Sequence, residues 1–524
     1  MHTAVKLFKS YLAPKRKSLL KVLKSLFFVV LSLLIIFFGL VWFPWSPIGF
    51  PEKEYTQLLI ENITIVDVEN DTIYEGRFVL IADHTIQQIA DEPIRLRSKG
   101  LERIDGSRKF LVPAFWDMHV HLGKRAPLSA HAEFVVNGVM HVRDMRGAYN
   151  DRDHFATTPE RITAWNKEID ERTLLGPKTH NITSFAVEGP HAMFDGLPDF
   201  FNCSNAQEAR RLVDYFEAQG VDLIKLYNNI PREAFFELME KARKAGIDVA
   251  GHKPLRISTV EASDAGMKSL EHARFLIWDS YSRSEALRNS EDPRSQDNTD
   301  RREQMLCEHD SVLLHKNLET LRNNQTWYCP THLTRKSDAD ADASVFRARY
   351  NRINPLLRFL SYEDLDGTIQ EDPTPRGRKV YQDFYLKSLE ITGKAHQQGV
   401  RILAGSDVPE LPGTSLLDEL EELSGAGLAN FEVLKTATLH PAQYYRVEKQ
   451  YGTIEAGKRA DMIILARNPI ADIKNVRSIH GLIYQGHYLD KDKIDGIKET
   501  IYSRNNGIVM SAKLIWDILL YTTL

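Results

Sequence analysis

The chain has 524 residues, of which 43% are hydrophobic and 26% charged, and its formal net charge is −4 at pH 7. This is an ordinary globular composition with ample material for a large core. No concentrated basic face is apparent beyond the N-terminus, so nucleic acid is not an expected partner. The three cysteines, Cys203, Cys307 and Cys329, are too few and too scattered for a disulfide framework or a zinc ribbon, although one bridge is possible.

The N-terminus has the pattern of a membrane anchor. Residues 1–24 contain basic side chains and no acidic ones, and residues 25–43, "SLFFVVLSLLIIFFGLVWF", carry no charge. At a rise of about 1.5 Å per residue, such a helix just crosses a bilayer of about 30 Å. We predict a basic cytoplasmic segment, a transmembrane helix, a linker over 44–54, and a remainder on the extracytoplasmic (periplasmic or cell-surface) side. The alternative is a cleaved signal peptide, but the apolar core exceeds the usual length and no small-x-small cleavage site follows it.

Two distant parts of the chain have β character. Residues 55–112 contain Ile- and Val-rich runs such as "LLIENITIVDV" and "RFVLIADHTIQQIA", separated by polar turns. Residues 440–490 return to this pattern in "ADMIILARNPI" and "HGLIYQGHYL". We predict that the two parts form one small composite β-sandwich domain. The tail, residues 491–524, is predicted to form an amphipathic helix that docks on the domain, on a second subunit or on the membrane surface.

Residues 113–439 alternate short apolar strands with charged, helix-like segments, a pattern typical of βα units. The eight strand candidates, the first of which starts slightly earlier, are "FLVPAFWDMHVH", "GVMHVRDM", "TSFAVEG", "VDLIKLY", "IDVAGH", "SLEHA", "TWYCPT" and "VRILAGSD". Eight strands with helical crossovers predict an α/β fold built on a (β/α)8 TIM barrel. Two polar stretches, near 279–320 and 335–380, are predicted as insertions in the loops that follow strands.

Polar residues mark the ends of these strands, where the functional side chains of such barrels gather. They are His119 and His121 on the first strand, Lys225 on the fourth, His252 on the fifth, His272 on the sixth and Asp407 on the eighth. Taken singly, a histidine here is more often a satisfied core residue, and an Asp a helix cap or turn residue. A lysine among apolar neighbours must pair, shift its pKa or be chemically modified. Together the six residues predict a metal site.

The motifs around these residues resemble the amidohydrolase superfamily. The likeness rests on "HVH", "VAGHKP", "EASDAGMKSLEHA", "ILAGSDVPELPGTSLLDEL" and "GTIEAGKRADMIILARNPIADIKNV", and it extends over about residues 55 to 490. Within the superfamily, the chain is similar to the imidazolonepropionase-like and prolidase-like branch of binuclear zinc enzymes. Mononuclear deaminases of the superfamily typically have a Glu three residues after the strand-five histidine, whereas Leu255 stands at that position here.

The resemblance implies a role for each of the six residues. One metal would be held by His119, His121 and Asp407, and a second by His252 and His272. A CO2-derived carbamate on Lys225 and a hydroxide would bridge the two ions, and Asp407 would act as the catalytic proton carrier. Zinc fits the ligand set, and residue type leaves manganese, cobalt and iron open.

The resemblance also implies a hydrolase of carbon–nitrogen bonds. We expect a membrane-anchored enzyme that cleaves a small amide, such as a dipeptide or an N-acyl or modified amino acid, and that can form a homo-oligomer. Candidate substrate contacts are Tyr227, His191, Arg274 and His332, each of which could instead be a loop or supporting residue. Two alternatives are a cyclic amide or imide hydrolase with the same ligands, and an inactive barrel that serves as a binding scaffold. Arg143 is expected to pair with Asp144 or another barrel acid.

Overall fold

The structure is a computed structural model that describes residues 2–52, 55–96, 99–148, 153, 155–189 and 199–521, with residues 2–20 as backbone only. Its strands, in chain order, are β1 (Gln57–Asp67), β2 (Thr72–Ala82), β3 (Thr85–Ala90), β4 (Leu101–Asp105), β5 (Phe110–Pro113), β6 (Phe115–Val120), β7 (Val139–Asp144), β8 (Lys178–Thr179), β9 (Leu223–Leu226), β10 (Asp248–Gly251), β11 (Ser269–Glu271), β12 (Trp327–Cys329), β13 (Met462–Leu465), β14 (Ile479–Tyr484) and β15 (His487–Leu489).

The α-helices, in the same order, are α1 (His2–Val41), α2 (Ala130–Val136), α3 (Pro159–Asp170), α4 (Ala206–Ala218), α5 (Arg232–Ala245), α6 (Thr259–Asp264), α7 (Arg274–Asp279), α8 (Ser284–Arg288), α9 (Thr299–Cys307), α10 (Ser311–Asn323), α11 (His332–Ala339), α12 (Ser344–Arg347), α13 (Pro355–Glu371), α14 (Pro375–Gln397), α15 (Thr414–Gly425), α16 (Asn430–Thr436), α17 (Leu439–Tyr445), α18 (Lys491–Asn506) and α19 (Ile508–Tyr521).

Helix α1 is one continuous helix of 40 residues. Its segment Lys21–Val41 is long and apolar enough to cross a membrane, and most of it is exposed, whereas Val41 at its end is buried. Length and composition suit a membrane anchor or a signal sequence. The helix ends at Val41, two residues before the predicted end at Phe43, because a residue that precedes a proline is disfavoured in helical conformation and Pro44 follows.

Strands from both ends of the chain form one mixed eight-stranded sheet, in the order β15-β14-β13-β5-β1-β2-β3 with β4 also paired to β1. Strand β1 pairs with β4 over Gln57–Glu61 and with β5 at Thr64 and Ile65. A bulge after Ile60, with Asn62 at φ 58°, separates the two halves of β1 and lets each half take a different neighbour. The strands therefore make one branched sheet, whereas the sequence predicts a sandwich of two.

The body of the protein is built from parallel strands, in the orders β6-β7-β8 and β12-β11-β10-β9. Single bridges attach Thr183 and Val187 to β9, and Ile402 to Tyr328 of β12. The Met118 amide of β6 also donates to the Ala404 carbonyl at 2.9 Å. Six of the eight predicted strands are regular strands in this part of the chain, and the fold class is α/β.

The third and eighth strand candidates are extended segments rather than regular strands. In the third, a side chain replaces part of the ladder, since the Thr183 hydroxyl donates to the Asp144 carbonyl. In the eighth, the Ala404 amide donates to Thr436, in the helix α16, at 3.0 Å. Backbone groups that bond elsewhere cannot extend a ladder between strands. We call residues 402–407 the eighth segment.

The helices pack around these strands, and the tail closes one side of the body. Both polar stretches predicted as insertions are largely helical and contain α8 to α10 and α11 to α14. Helix α18 packs on α2, and α19 packs on α1, α13 and α18. The Lys513 ammonium of α19 donates to the carbonyls of Val41 at 2.6 Å and Phe43 at 2.9 Å. Of the three docking surfaces considered for the tail, the structure places it on the protein itself.

Candidate metal centre

The structure brings all six predicted ligands together at the carboxyl ends of the parallel strands. They come from β6 and the residue after it (His119 and His121), from β9 (Lys225), from the residues directly after β10 and β11 (His252 and His272), and from the eighth segment (Asp407). Carboxyl ends of parallel strands meet at one edge, which explains how residues 286 positions apart come into contact.

Three of the six form a tight group. The Asp407 Oδ1 atom lies 3.0 Å from His121 Nε2 and 3.6 Å from His119 Nε2. One ligand atom from each of these residues lies within 4.8 Å of the other two, as in a site that holds a metal ion. Two imidazoles and a carboxylate are a common ligand set for zinc.

The other three adjoin this group. His272 and His252 face each other with their Nε2 atoms 2.9 Å apart. His272 Nδ1 lies 3.7 Å from Asp407 Oδ2. The Lys225 Nζ atom lies 3.4 Å from His119 Nε2, and its side chain is fully buried. Lys225 and Asp407 therefore link the group around His121 with the pair of histidines.

Outer hydrogen bonds orient the imidazole rings, as is usual for histidines that bind metals. The contacts join His119 Nδ1 to Glu271 Oε2 at 2.9 Å, His252 Nδ1 to Asn228 Oδ1 at 2.9 Å, and His272 Nδ1 to Thr331 Oγ1 at 2.8 Å. His121 Nδ1 is also buried and has no hydrogen-bond partner among the described residues. A buried imidazole nitrogen without a partner is costly unless a ligand satisfies it.

The backbone is strained at the same place. Three residues of the centre, His272, Thr331 and Asp407, have φ values of 73°, 46° and 52°, in the left-handed region that non-glycine residues rarely adopt. Such conformations cost roughly 1–3 kcal/mol each and persist where the surroundings hold them in place. The strained backbone conformations thus occur at two predicted ligands, His272 and Asp407, and at Thr331, which contacts His272.

Burial sets the protonation of the ligands. It lowers the pKa of His119 to about 4 and the pKa values of His252 and His272 well below their usual range, so these rings are neutral at pH 7. Burial alone would raise the pKa of Asp407, but the imidazoles of His119 and His121 hold it well below its ordinary value. Neutral imidazoles and an ionised carboxylate are the forms that bind a divalent metal, so the residues present fit such an ion.

A buried ion pair supports the first strand from behind. The Arg143 guanidinium donates to both oxygens of Glu271, at 2.8 and 2.9 Å, and to the Met118 carbonyl at 2.6 Å. The expected pairing of Arg143 with a barrel acid is thus made to Glu271, not to Asp144. Glu271 was not among the residues predicted from the sequence, although an acidic residue next to His272 in an apolar strand indicates a buried cation. His119, Glu271 and Cys329 also form a compact group, but Arg143 occupies Glu271 and burial raises the pKa of the Cys329 thiol.

One of the predicted substrate contacts lies beside the centre. Tyr227 lines a cavity of about 470 Å³ that His121 also lines. Its ring lies 4.3 Å from the ring of His252, and burial raises the pKa of its hydroxyl to about 12. The phenol therefore stays protonated and can donate a hydrogen bond into the cavity.

Two of the other predicted substrate contacts, Arg274 and His332, do not line this cavity. Arg274 donates to Asn228 Oδ1 at 3.3 Å and lines a separate cavity. His332 is completely buried, and its Nδ1 lies 3.2 Å from Ser388 Oγ of α14. Its position at the start of α11 turns the ring into the protein, so His332 is a core residue in this structure rather than a substrate contact. His191 lies outside the described residues.

Comparisons with known proteins find a short sequence likeness and a shared fold. Over 67 residues, 13% of the chain, the sequence is 37% identical to an N-acetylglucosamine-6-phosphate deacetylase of Lysinibacillus sphaericus, and the match spans 16% of that protein. A Xaa-Pro dipeptidase with bound methionine shares 19% identity at a TM-score of 0.59, over 83% of this chain and 100% of its own. A bottromycin amidohydrolase shares 20% identity at a TM-score of 0.66, over 86% and 91%. At these identities the structural likeness shows the fold.

The match to a family profile falls on the part of the chain that completes the site. Residues 388–489 match the amidohydrolase family. This segment contains Asp407 and also β13 and β14, through which the C-terminal part of the chain joins the N-terminal sheet. The solved structures share the fold over more than four fifths of the chain. Over these residues the chain is similar to the amidohydrolase family, and the solved structures show a shared fold.

Proposed function

We propose that the protein is a membrane-anchored, metal-dependent hydrolase that cleaves the carbon–nitrogen bond of a small amide, such as a dipeptide or an N-acyl amino acid. The observation that carries the proposal is the meeting of neutral, oriented imidazoles with an ionised Asp407 and a buried Lys225, next to a cavity that His121 lines. Catalytic residues of α/β barrels lie at this end of the strands.

The proposal includes a complete (β/α)8 barrel. It is supported by the parallel sheets, by the bridges from Thr183 and Val187 to β9, and by the contacts of the eighth segment with both β12 and β6. In such a barrel the six ligands would surround one opening, whose interior is filled by side chains.

Two divalent ions, most simply zinc, would be held by His119, His121 and Asp407 on one side and by His252 and His272 on the other. Lys225 would join them as a carbamate, formed when its neutral amine adds to CO2 and loses a proton. Burial supports this step, because it lowers the pKa of Lys225 to about 8 and so makes the neutral amine available near neutral pH. An anion at this position would also offset the charge of two cations.

When bound, the ions would supply a Lewis acid for the substrate carbonyl and lower the pKa of a water molecule. The chain's own residues do the rest. Asp407 accepts a proton from the attacking water and delivers it to the leaving nitrogen. Its carboxylate is ionised at neutral pH and so is ready to accept that proton. Tyr227, protonated and beside His252, donates a hydrogen bond to the substrate.

The membrane part of the proposal rests on α1. Its large apolar side chains from Val22 to Ile36 are mostly exposed, and such a surface is unfavourable in water. The basic residues before this segment would keep the N-terminus in the cytoplasm and place the body on the extracytoplasmic side.

The test uses the full-length protein in detergent, loaded with zinc in bicarbonate buffer. We expect about two ions per chain and hydrolysis of linear amides in a panel of dipeptides, N-acyl amino acids and cyclic amides. Asp407→Asn is expected to bind metal more weakly and to lose hydrolysis. The proposal fails if the loaded protein binds less than about one ion per chain and cleaves nothing in the panel. Cleavage of cyclic amides alone would favour the cyclic amide hydrolase instead.

A further inference from the structure

The cavity beside the candidate metal centre is lined by charged and polar side chains as well as by apolar ones. His121, Tyr227 and Arg146 line the end near the ligands. With a volume of about 470 Å³ it falls within the range of small-molecule sites. Two carboxyl groups, of Glu133 and Glu410, also line it, and burial raises the pKa of both, that of Glu133 to about 7.

Most of the apolar wall residues come from parts of the chain outside the eight βα units. Met510 and Leu514 of α19 form one wall, and Leu357 of α13 and Ile353 before it form another. Phe134 of α2 completes the lining on the side of the first strand. Met510, Ile353 and Phe134 are almost fully buried, so these walls are fixed parts of the structure. The insertion and the tail thus build an apolar chamber next to the ligands.

The same helix that forms one wall is packed against the proposed membrane anchor. The rings of Phe38 in α1 and Trp516 in α19 lie 5.5 Å apart, edge to face. Lys513 donates to the last carbonyls of the apolar segment, those of Val41 and Phe43. One face of α19 therefore lies at the end of the span while Met510 and Leu514 face the cavity, so the chamber adjoins the membrane surface.

A charged clamp holds α19 in this position. Arg125 donates to both oxygens of the buried Asp517, at 2.6 Å from Nε and 2.8 Å from the guanidinium NH2 group. Arg125 follows His121 by four residues, and both residues of the clamp line the cavity. A bidentate pair between arginine and a carboxylate is geometrically specific. The helix from the tail is thereby fixed to the loop that carries a predicted ligand.

We propose that this chamber binds an acyl chain and that the substrate is an N-acyl amide with a long aliphatic chain, taken from the membrane surface. The inference rests on the proposed function and names its substrate class. The amide would lie at the end lined by His121 and Tyr227, with the chain between α13 and α19. Water adds its hydroxyl to the carbonyl carbon and a proton to the nitrogen, the C–N bond breaks, and the products are a fatty acid and an amine.

The dependence of hydrolysis on the length of the substrate's acyl chain tests the proposed acyl-chain site. Each methylene moved from water into the chamber is expected to raise kcat/KM by roughly twofold to fourfold. The full-length zinc-loaded protein is reconstituted in phosphatidylcholine nanodiscs and given N-acyl glycines with acyl chains of roughly 2, 6, 10 and 14 carbons. We expect kcat/KM to rise at least about 50-fold between the acetyl and decanoyl compounds.

Substitutions that place a larger side chain in the chamber provide the second test. In Leu514→Trp, the larger ring takes the space of the chain end, so the best chain length becomes shorter and kcat/KM for the tetradecanoyl compound falls about tenfold. Leu357→Trp makes the same test from the opposite wall if the first variant folds poorly. Ile515→Trp is the matched control, because Ile515 follows on the same helix, is 40% exposed and does not line the cavity. Its chain-length profile should match that of the unaltered protein.

The outcomes separate the two proposals. If the loaded protein cleaves acetylglycine and dipeptides but shows a flat or falling chain-length profile, the acyl-chain site is wrong and the proposed function stands. Equal profiles for Leu514→Trp, Leu357→Trp and Ile515→Trp also overturn it. If no compound of any length is cleaved, both proposals fall together.

Discussion

Three histidines of the candidate metal centre are each held by a polar residue that stands behind the ring. Glu271 holds the ring of His119, Asn228 that of His252, and Thr331 that of His272. Such outer contacts fix which nitrogen of an imidazole faces the metal. At the scale of the residue, the site therefore has an inner layer, the predicted metal ligands, and an outer layer, the polar residues that contact the histidine rings. Substitutions in either layer test the site.

Lys225 offers the most specific test of the inner layer. Lys225→Ala removes the amine that would carry the carbamate, so we expect both metal content and activity to fall, the latter at least about 100-fold. Short carboxylates such as acetate or propionate should restore part of both, because they can occupy the place of the carbamate. Metal content is measured by mass spectrometry. Lys241→Ala, on the surface beside Asp214, is the control. Unchanged metal content together with no rescue would rule out the carbamate.

The outer layer is tested through the buried ion pair. In Glu271→Gln, the fully buried Arg143 loses its counter-charge and His119 loses an anionic partner. Removal of one partner of a buried pair typically costs about 3–5 kcal/mol. We expect a loss of about 3 kcal/mol in the free energy of unfolding by urea, and weaker metal binding. In the exposed pair of Arg103 with Glu61, the substitution Glu61→Gln should cost less than about 1 kcal/mol. Similar losses in the two variants would contradict the structure.

At the scale of the element, the eighth segment is shaped by one close approach. Gly405 lies between β6 and β12, and a Cβ atom there would stand 2.5 Å from Cys329 Sγ and 2.7 Å from His119 Cβ. Neither neighbour has room to move, because both are fully or almost fully buried. The small residue lets the segment approach the strands closely enough to present Asp407 to His121.

Gly405→Ala should therefore destabilise the protein and displace Asp407. We expect a loss of about 1–3 kcal/mol in the free energy of unfolding, together with weaker metal binding measured by titration calorimetry. Gly425→Ala is the matched control, because a Cβ atom at this helical position meets nothing within 4 Å. It should leave metal binding unchanged and raise stability slightly, by up to about 1 kcal/mol. Equal behaviour of the two variants would show that the close approach is unimportant.

Some of these elements and contacts could be predicted from the sequence, and others could not. The meeting of the six residues could be predicted because each lies at or near the end of a short apolar strand, and strand ends of a parallel sheet converge. The pairing of Arg143 with Glu271 could not, since it depends on which strands face each other across the interior. The branching of β1 at Asn62 depends on a bulge that no pattern of apolar residues announces. The apolar chamber could not be predicted either, because most of its wall residues come from an insertion and a tail that are distant in sequence.

At the scale of the whole molecule, buried neutral histidines make stability depend on pH. Burial lowers the pKa of His131 and of His332 to about 3, whereas an unfolded chain binds the same proton near pH 6.5. A folded pKa below the unfolded value means that the stabilisation is present above about pH 6.5 and is lost as the pH falls towards 3. Burial also lowers the pKa values of His119, His252 and His272, which act in the same direction in the metal-free protein.

His131 isolates this effect, since its ring is buried against Trp165 and neither of its nitrogens has a partner among the described residues. The free energy of unfolding of the metal-free protein should fall as the pH drops from 6.5 to 4. His131→Phe should remove about 1.4 kcal/mol per pH unit of that slope. Phe134→Leu, on the same helix and without a proton to bind, is the control and should keep the slope. A slope that is the same in the His131 variant would contradict the buried neutral ring.

The orientation of the whole molecule in a membrane can be read from its own cysteines. Cys307 is exposed, whereas Cys203 and Cys329 are buried. If α1 spans the membrane with its basic end in the cytoplasm, Cys307 faces the outside together with the body of the protein. A maleimide that cannot cross membranes should then label the protein in intact spheroplasts, and Cys307→Ser should abolish the labelling. Labelling that appears only after detergent lysis would place the body in the cytoplasm, and recovery of the protein without membranes would contradict the anchor.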